Sequence, residues 1–112
     1  IASRAPFAPT IGNALYSASK GAIIGYSKVL GLELASQKIR VNCICPAMVW
    51  TELVEKDAEM TGVDHNVAQL SYPLKRYGKP EDIAYLSIYL LSDASSWMTG
   101  SSIDITGGTN SL

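Results

Sequence analysis

This 112-residue chain has little surplus of either charge, and it has few long apolar runs without a charged residue. Nine lysine and arginine residues stand against ten aspartate and glutamate residues, for a net charge of −1. Without a basic surplus or a basic stripe, a nucleic-acid partner is not expected. The most apolar stretch, residues 14–35, contains Lys20, Lys28 and Glu33, so we expect a buried helix and no membrane span. A cytoplasmic protein is the expectation that follows.

Residue types that bind metals are also few. The only histidine is His65, and the only cysteines are Cys43 and Cys45. Two thiols without a neighbouring histidine make a poor metal site, and cysteines two apart on one strand are awkwardly placed for a disulfide. We therefore expect no metal and two buried, small, apolar thiols. His65 lies in a polar segment, where we expect a loop residue rather than a catalytic one.

A long apolar helix is predicted from residue 14 to residue 36, with Asn13 as its N-cap. Apolar or small residues occupy nearly every side of it, so it should be covered on two sides. Gly21 and Gly25 would allow another helix to approach closely. That second helix could belong to the same fold or to a second subunit.

Two short strands are predicted, one on each side of the helical middle of the chain. Residues 39–45 are nearly continuously apolar, as in a strand buried on both faces of a parallel sheet, and Pro46 ends the run. Ile103 and Ile105 alternate in the second strand, which a glycine turn at 107–108 closes. Since two strands alone rarely make a stable sheet, we expect this chain to be a fragment of a larger α/β fold.

Helical segments are predicted between the two strands, as a parallel crossover requires. One covers residues 52–60, and another begins at Pro80, where proline and two acids suit a helix start. Residues 61–73 should be irregular or partly helical. Arg76 and Glu81 are expected to support the fold locally.

A tyrosine and a lysine stand four positions apart in the first predicted helix, within Tyr16-Ser17-Ala18-Ser19-Lys20. Residues four apart share one helix face, so the ammonium group lies near the phenol. Its positive charge stabilises the phenolate, which makes the phenol fit for general acid–base work. Such a pair can exchange a proton with a carbonyl oxygen while a hydride moves to or from carbon. A chance Tyr-x-x-x-Lys is common, so the pair gains its meaning from its surroundings.

When the Tyr-Lys pair is taken together with the rest of the sequence, the chain resembles the short-chain dehydrogenase/reductases over nearly its whole length. Beside the Tyr-Lys pair, the resemblance is carried by residues 39–42, 76–84 and 99–108. Within the family it is most like the 3-oxoacyl-carrier-protein reductases and related sugar or polyol dehydrogenases. The implied fold is the C-terminal portion of a Rossmann-like doubly wound parallel sheet, with the first four strands and the glycine-rich turn absent.

The resemblance implies a catalytic set of three residues. Ser3 stands thirteen positions before Tyr16 and is matched to the serine that binds the substrate carbonyl. Tyr16 is matched to the general acid–base. Lys20 is matched to the lysine that activates the tyrosine and holds the nicotinamide ribose. Without the resemblance, Ser3 would be an ordinary hydroxyl at the end of a strand.

The same resemblance implies NAD or NADP as cofactor, with incomplete binding in this chain. The residues implied at the cofactor are Tyr16, Lys20, Pro46, Ala47, Val49 and Thr51. Ala47 stands where the family usually has glycine; if that position needs a positive φ, alanine costs about 1 kcal/mol or more. On the local sequence alone, Pro46 would end a strand and Thr51 would cap a helix.

We expect one partial domain over residues 1–112, with the catalytic helix at 14–36 and a substrate-covering segment at about 52–75. Asn13 is a further residue that could face the substrate. Five large side chains could either line an apolar substrate pocket or pack in the hydrophobic core: Met48, Trp50, Leu53, Met60 and Tyr72.

The expected function is part of an NAD(P)-dependent oxidoreductase that interconverts a small carbonyl compound and a secondary alcohol, inactive as the isolated chain. The alternative is a non-catalytic oligomerisation or structural module. The resemblance implies a dimer or tetramer in both cases, because the family associates through the helix that matches 14–36 and through its last helix and strand.

Overall fold

A computed structural model describes residues 1–8 and 10–109; Pro9 and the end of the expected domain, residues 110–112, lie outside the described residues. The helices and strands are α1 Ala14–Glu33, β1 Cys43–Pro46, α2 Glu52–Thr61, α3 His65–Ala68, α4 Pro80–Leu91 and β2 Ser102–Ile105. Single 3₁₀ turns occupy Ala5–Phe7, Ala35–Gln37, Gln69–Ser71 and Asp93–Ser95. None of the described helices combines the length and apolarity needed to cross a bilayer.

The two strands pair in parallel, with Ile44 opposite Ile103. The other edge of β1 is also occupied, because the backbone N–H groups of Ala2 and Arg4 donate to the carbonyls of Ile44 and Pro46, both at 2.9 Å. All four β1 residues are buried, as expected for a strand inside a parallel sheet. This confirms the predicted α/β class: a small parallel sheet with helices in the connection between its strands.

The first strand starts four residues later than the predicted 39–45. At the start of that range, side-chain hydrogen bonds fix the backbone where strand pairing was expected. Arg40 donates to the carbonyls of Leu90, at 2.8 Å, and Met98, at 3.1 Å. The amide of Asn42 donates to the same Met98 carbonyl at 2.8 Å. These bonds tie the approach to β1 to the end of α4 and the turn before β2.

Helix α1 ends at Glu33 and gives way to a 3₁₀ turn, so the predicted end at residue 36 is too late. Asn13 occupies the N-cap position as predicted, but its side chain makes no capping hydrogen bond. Only Ile24 and Gly31 of α1 are buried. The predicted cover on two sides is therefore not supplied by the described part of this chain.

The close helix contact falls on a glycine that the sequence pattern did not single out. A Cβ added at Gly31 would lie 2.6 Å from the backbone nitrogen of Gly100, whereas one at Gly25 would meet nothing within 4 Å. At Gly21 the nearest atom would be in Pro6, at 3.8 Å, an ordinary contact. The hydroxyl of Thr99 donates to the Gly31 carbonyl at 3.2 Å, so the turn before β2 packs directly on α1.

Both cysteines are buried and free, as predicted. Burial, reinforced by the neighbouring Cys43 thiol, raises the pKa of Cys45 to about 11. The prediction for His65 is wrong: it begins α3 and is 6% exposed, with both ring nitrogens in hydrogen bonds. Segment 61–73 is partly helical, one of the two predicted alternatives.

Candidate active site

Ser3 and Tyr16 open onto one cleft of about 300 Å³. Its walls include Ser3, Arg4, Tyr16, Pro46, Met48 and Tyr72. The cleft lies where β1 ends, since Pro46 is the last residue of that strand. In open α/β sheets this carboxyl edge of the strands is where ligands bind.

Helix α1 brings Tyr16 to Ser3 because its first turns are bound to the segment that follows Ser3. The hydroxyl of Ser17 donates to the carbonyl of Ala5 at 3.4 Å, and Gly21 lies against Pro6. The predicted catalytic serine and tyrosine therefore line the same cleft although the chain separates them by thirteen positions.

Lys20 lies one helical turn beyond Tyr16, and its Nζ is 5.7 Å from the centroid of the Tyr16 ring. This arrangement places a positive charge beside the phenol, which is 49% exposed. The tyrosine and the lysine therefore lie on one face of α1, as their spacing predicts.

The Ser3 hydroxyl is oriented by the backbone. Its Oγ accepts a hydrogen bond from the Ala5 N–H at 3.1 Å. A hydroxyl that accepts in this way retains its own hydrogen as a donor. Ser3 can therefore donate to an oxygen atom in the cleft while it stabilises the turn that follows it.

Ala47 is accommodated without strain. It is not among the residues with positive φ, which apart from glycines are Lys38 and Lys75 in the described chain. Its N–H donates to the Ile105 carbonyl at 3.1 Å, extending the β1–β2 pairing by one bond. The cost anticipated for alanine in place of glycine at this position does not arise.

Val49 and Thr51 lie on the stretch between β1 and α2. Val49 pairs with Gly78 in an isolated parallel β-bridge. The Gly78 N–H donates to the Met48 carbonyl at 3.0 Å, and the Trp50 N–H donates to the Gly78 carbonyl at 2.8 Å. The N–H and C=O of Val49 itself take no part in those two bonds. Thr51 precedes α2 as its N-cap, but its hydroxyl makes no capping bond. Both residues thus keep groups that could contact a bound molecule.

Arg4 and Thr109 also line the cleft, and no pattern in the sequence indicated either of them. Arg4 Nη1 donates to the Thr109 hydroxyl at 2.8 Å, across 105 positions of the chain. Gly107 and Gly108, with φ of 60° and 89°, form the predicted tight turn ahead of Thr109. Two side chains this far apart in sequence become neighbours only through the tertiary fold.

Other residues with predicted pocket roles are distributed over several places. Met48 and Tyr72 line the cleft, as does Asn13. Trp50 packs on the ring of Tyr77, with centroids 5.9 Å apart. Leu53 lines a separate small cavity of about 160 Å³, while Met60 is 86% exposed.

The predicted role of Arg76 as a local support of the fold is confirmed by its pairing with Asp82. Arg76 donates to both carboxylate oxygens of Asp82, at 2.7 and 3.2 Å. Asp82 also accepts the Lys79 N–H at 2.7 Å and so caps α4. The Arg76 hydrogen bonds, with the Lys79 N–H, lower the pKa of Asp82 to about 2. Glu81 is exposed.

Within the described part of the chain, no three His, Cys, Asp or Glu side chains come together as they would around a metal ion. The cleft presents the Ser3 hydroxyl and the Tyr16 phenol, two groups that can donate a hydrogen bond to an oxygen atom of a bound molecule.

Known proteins are similar to this chain over most of its length. A protein family described as "Enoyl-(Acyl carrier protein) reductase" matches residues 4–110 of the sequence. The chain belongs to the short-chain dehydrogenase/reductase family. Among relatives of this oxidoreductase family, the 3-oxoacyl-[acyl-carrier-protein] reductase FabG of Thermotoga maritima is 41% identical over 97 residues, which are 87% of this chain and 38% of that protein.

Solved structures of the short-chain dehydrogenase/reductases share the fold. A short chain dehydrogenase family protein from Francisella tularensis subsp. tularensis SCHU S4 is 38% identical with a TM-score of 0.88, over 99% of this chain and 49% of its own. The L-sorbose reductase from Gluconobacter frateurii, complexed with NADPH and L-sorbose, is 28% identical with a TM-score of 0.86, over 99% and 46%. The chain spans about two-fifths of the length of the curated relatives it matches.

Proposed function

We propose that this chain supplies the catalytic portion of an NAD(P)-dependent oxidoreductase that interconverts a small carbonyl compound and a secondary alcohol, with Tyr16 as the general acid–base. The observation that carries the proposal is the meeting of three groups. Ser3 and Tyr16 line one cleft, and Lys20 Nζ lies 5.7 Å from the Tyr16 ring. Family membership supports the reaction class, while the roles of the individual residues are our assignment.

In the reductive direction, the Ser3 hydroxyl donates a hydrogen bond to the substrate carbonyl oxygen and holds it in the cleft. Tyr16 then gives its phenolic proton to that oxygen as the carbon is reduced, and the resulting phenolate is stabilised by Lys20. In the oxidative direction, the phenolate takes the proton back from the alcohol. A bound nicotinamide supplies or accepts the hydride.

We propose NAD or NADP as the cofactor, held in this chain by Tyr16, Lys20, Pro46, Ala47, Val49 and Thr51. The backbone groups of Val49, which take no part in the two bonds to Gly78, and the Thr51 hydroxyl, which makes no capping bond, fit contacts with a polar nicotinamide carboxamide. The relative from Gluconobacter frateurii was solved with NADPH. Since these residues surround only one end of a dinucleotide, we propose that a nucleotide-binding region of the same protein completes the site.

The test is a Tyr16→Phe substitution in the complete enzyme, meaning this chain together with that nucleotide-binding region. We expect kcat for reduction of small ketones to fall about 10²–10⁴-fold, the usual contribution of a general acid–base group. Consumption of NADPH and NADH measures the rate. Tyr26→Phe is the matched control, because Tyr26 lies on the same helix and is 68% exposed. A Tyr16→Phe enzyme as active as the control would rule out the assignment.

We also propose that the 112-residue chain alone shows no turnover with NADH or NADPH over a panel of ketones, because its cofactor site is incomplete. Steady reduction of any ketone by the purified chain would contradict that proposal and would locate a full cofactor site within these residues.

A second proposal, self-association, rests on a specific feature of the surface. Large apolar side chains are exposed along α1 and α4, among them Leu15 at 88%, Leu32 at 74%, Tyr85 at 71% and Leu91 at 86%. Apolar surface of this extent on two helices marks an interaction site. We propose a dimer or tetramer of the complete protein, in which these helices meet their copies. A monomer at micromolar concentration in analytical ultracentrifugation would refute it.

A further inference from the structure

A hydrogen-bonded group with a buried imidazole, a buried phenol and a half-exposed carboxylate lies beside the proposed catalytic cleft and takes no part in the proposed proton transfer. His65 is 6% exposed; its Nε2 is 2.9 Å from Asp57 Oδ2, and its Nδ1 is 3.0 Å from the Tyr77 hydroxyl. A carboxylate can only accept, so Nε2 carries a proton. In the neutral imidazole with that tautomer, Nδ1 accepts a hydrogen bond from the Tyr77 hydroxyl.

These two hydrogen bonds join three separate parts of the chain. Asp57 belongs to α2, His65 begins α3, and Tyr77 precedes α4. Tyr77 is 5% exposed, and this burial raises the pKa of its phenol, which keeps the hydroxyl protonated and able to donate at neutral pH. The group therefore fixes the position of the segment between α2 and α4.

Tyr77 transmits this position to the cleft. Its ring meets the ring of Tyr72 edge-on, with centroids 5.1 Å apart and an interplanar angle of 72°. Tyr72 lines the cleft together with Ser3 and Tyr16. An unbroken series of contacts thus runs from the His65 imidazole, through Tyr77, to a wall of the cleft.

Met48 gives a second connection between the same two places. It lines the cleft, and it also lines the small cavity beside His65 and Asp57. Its carbonyl accepts the N–H of Gly78, the residue after Tyr77, at 3.0 Å. Displacement of Tyr77 would therefore move both Tyr72 and Met48.

We propose that Tyr72 determines which substrates fit, by limiting the bulk of the group beside the reacting carbonyl, and that His65 is the positioning residue that holds Tyr72 in place through Tyr77. The proposal rests on the proposed function, since it concerns the same cleft. His65 has no part in the proton transfer itself; its contribution is the shape of the cleft wall.

A purely stabilising role for His65 makes a different prediction from a positioning role. Loss of stability lowers the active fraction of the enzyme and scales the rates for all substrates by the same factor. Loss of position changes the shape of the cleft and so changes the ratio of kcat/KM between a bulky and a small ketone.

The experiment compares acetophenone with acetone in the complete enzyme, as the ratio of their kcat/KM values. Tyr72→Ala should raise this ratio about tenfold or more, because a cleft opened by several carbon atoms discriminates less against the larger group. His65→Leu should raise it in the same direction by a smaller factor. The effects of the two substitutions should not multiply in the double variant, because both act on one wall.

Three further variants make the result specific. His65→Gln retains one donor and one acceptor and should restore the wild-type ratio in part. Asn66→Ala, at the exposed neighbouring position, should leave the ratio unchanged. If His65→Leu does not fold, Tyr77→Phe removes only the hydroxyl that binds Nδ1 and should shift the ratio in the same direction.

Equal losses for both ketones in His65→Leu, or in Tyr77→Phe where that variant takes its place, would overturn the proposal. So would effects of His65→Leu and Tyr72→Ala that multiply. Failure of the proposed function has a different signature: wild-type enzyme that reduces neither ketone, or a Tyr16→Phe enzyme that retains full activity. The two proposals can thus fail separately.

Discussion

Two glycines of α1 have opposite surroundings, and this yields a prediction at the scale of single residues. A Cβ at Gly31 would approach the backbone nitrogen and Cα of Gly100 to 2.6 and 2.8 Å, atoms that cannot move aside as a flexible side chain can. A Cβ at Gly25 would meet open space. Gly31→Ala should therefore lower the free energy of unfolding by about 1–3 kcal/mol, the usual range for overpacking.

Gly25→Ala is the matched control on the same helix. It should raise the free energy of unfolding by about 0.5–1 kcal/mol, because alanine is the better helix former. Urea unfolding of the two variants beside the parent chain measures both values. Equal effects of the two substitutions would show that helix propensity, and not the contact with Gly100, decides the outcome.

Single residues also show how far the sequence predicts the site. The approach of Lys20 to Tyr16 follows from helix spacing alone, because residues four apart share a face. The bonds of His65 to Asp57 and Tyr77 could not be predicted, since their partners lie eight and twelve positions away on other elements. The local polar sequence around His65 indicates an exposed loop, and only the packing of α2 and α3 reverses that.

At the scale of an element, the start of α4 is stabilised by a charge that acid removes. The pKa of Asp82, ordinarily 3.8, is lowered to about 2 by the hydrogen bonds from Arg76 and from the Lys79 N–H. Because the folded-state pKa lies below the unfolded value, the contribution to stability is fully present above about pH 4. It is lost as the pH falls from about 4 to about 2.

Asp82→Asn should therefore lower stability at neutral pH and flatten the dependence of stability on pH between about 4 and 2. Thermal unfolding followed by circular dichroism across this range measures the slope. Glu81→Gln is the control: it removes an exposed acid from the same helix turn and should leave the slope of the parent chain in place. An unchanged slope in Asp82→Asn would assign the acid sensitivity to other carboxylates.

The existence of the elements is predictable from sequence, but their ends are less so. The apolar run at 39–45 predicts a strand, yet β1 covers only Cys43–Pro46. Arg40 and Asn42 bind carbonyls more than forty positions away, at the end of α4 and near β2. Periodicity records local burial and cannot reveal such distant acceptors. For α2 and α4, which begin after Thr51 and Lys79 as expected, the local signals of proline and acids suffice.

At the scale of the whole molecule, the chain exposes more surface than a compact protein of its mass. Its accessible surface is 7656 Å² for 12.0 kDa, whereas a monomer of that mass exposes about 6,000 Å². Its radius of gyration is 15.5 Å, against about 13 Å for a compact domain of this length. The excess is consistent with the apolar faces of α1 and α4, which this chain does not cover by itself.

An uncovered apolar face links stability to concentration. If α1 binds a second copy, only the folded chain associates, and mass action should raise the midpoint of thermal unfolding as protein concentration increases.

Leu32→Lys places a charge on α1 at a residue that is 74% exposed, and it should suppress that rise while leaving the midpoint of the dilute chain nearly unchanged. Met60→Lys, at a position on α2 that is 86% exposed, makes the same kind of change away from the face and should keep the rise. Differential scanning calorimetry over a hundredfold range of protein concentration measures these midpoints. A partner present at 100 times its Kd adds about 2.7 kcal/mol to the free energy of unfolding, which is enough to separate the two variants. A midpoint independent of concentration in the parent chain would mean that α1 does not bind another copy, and the apolar face would then be covered by another region of the complete protein.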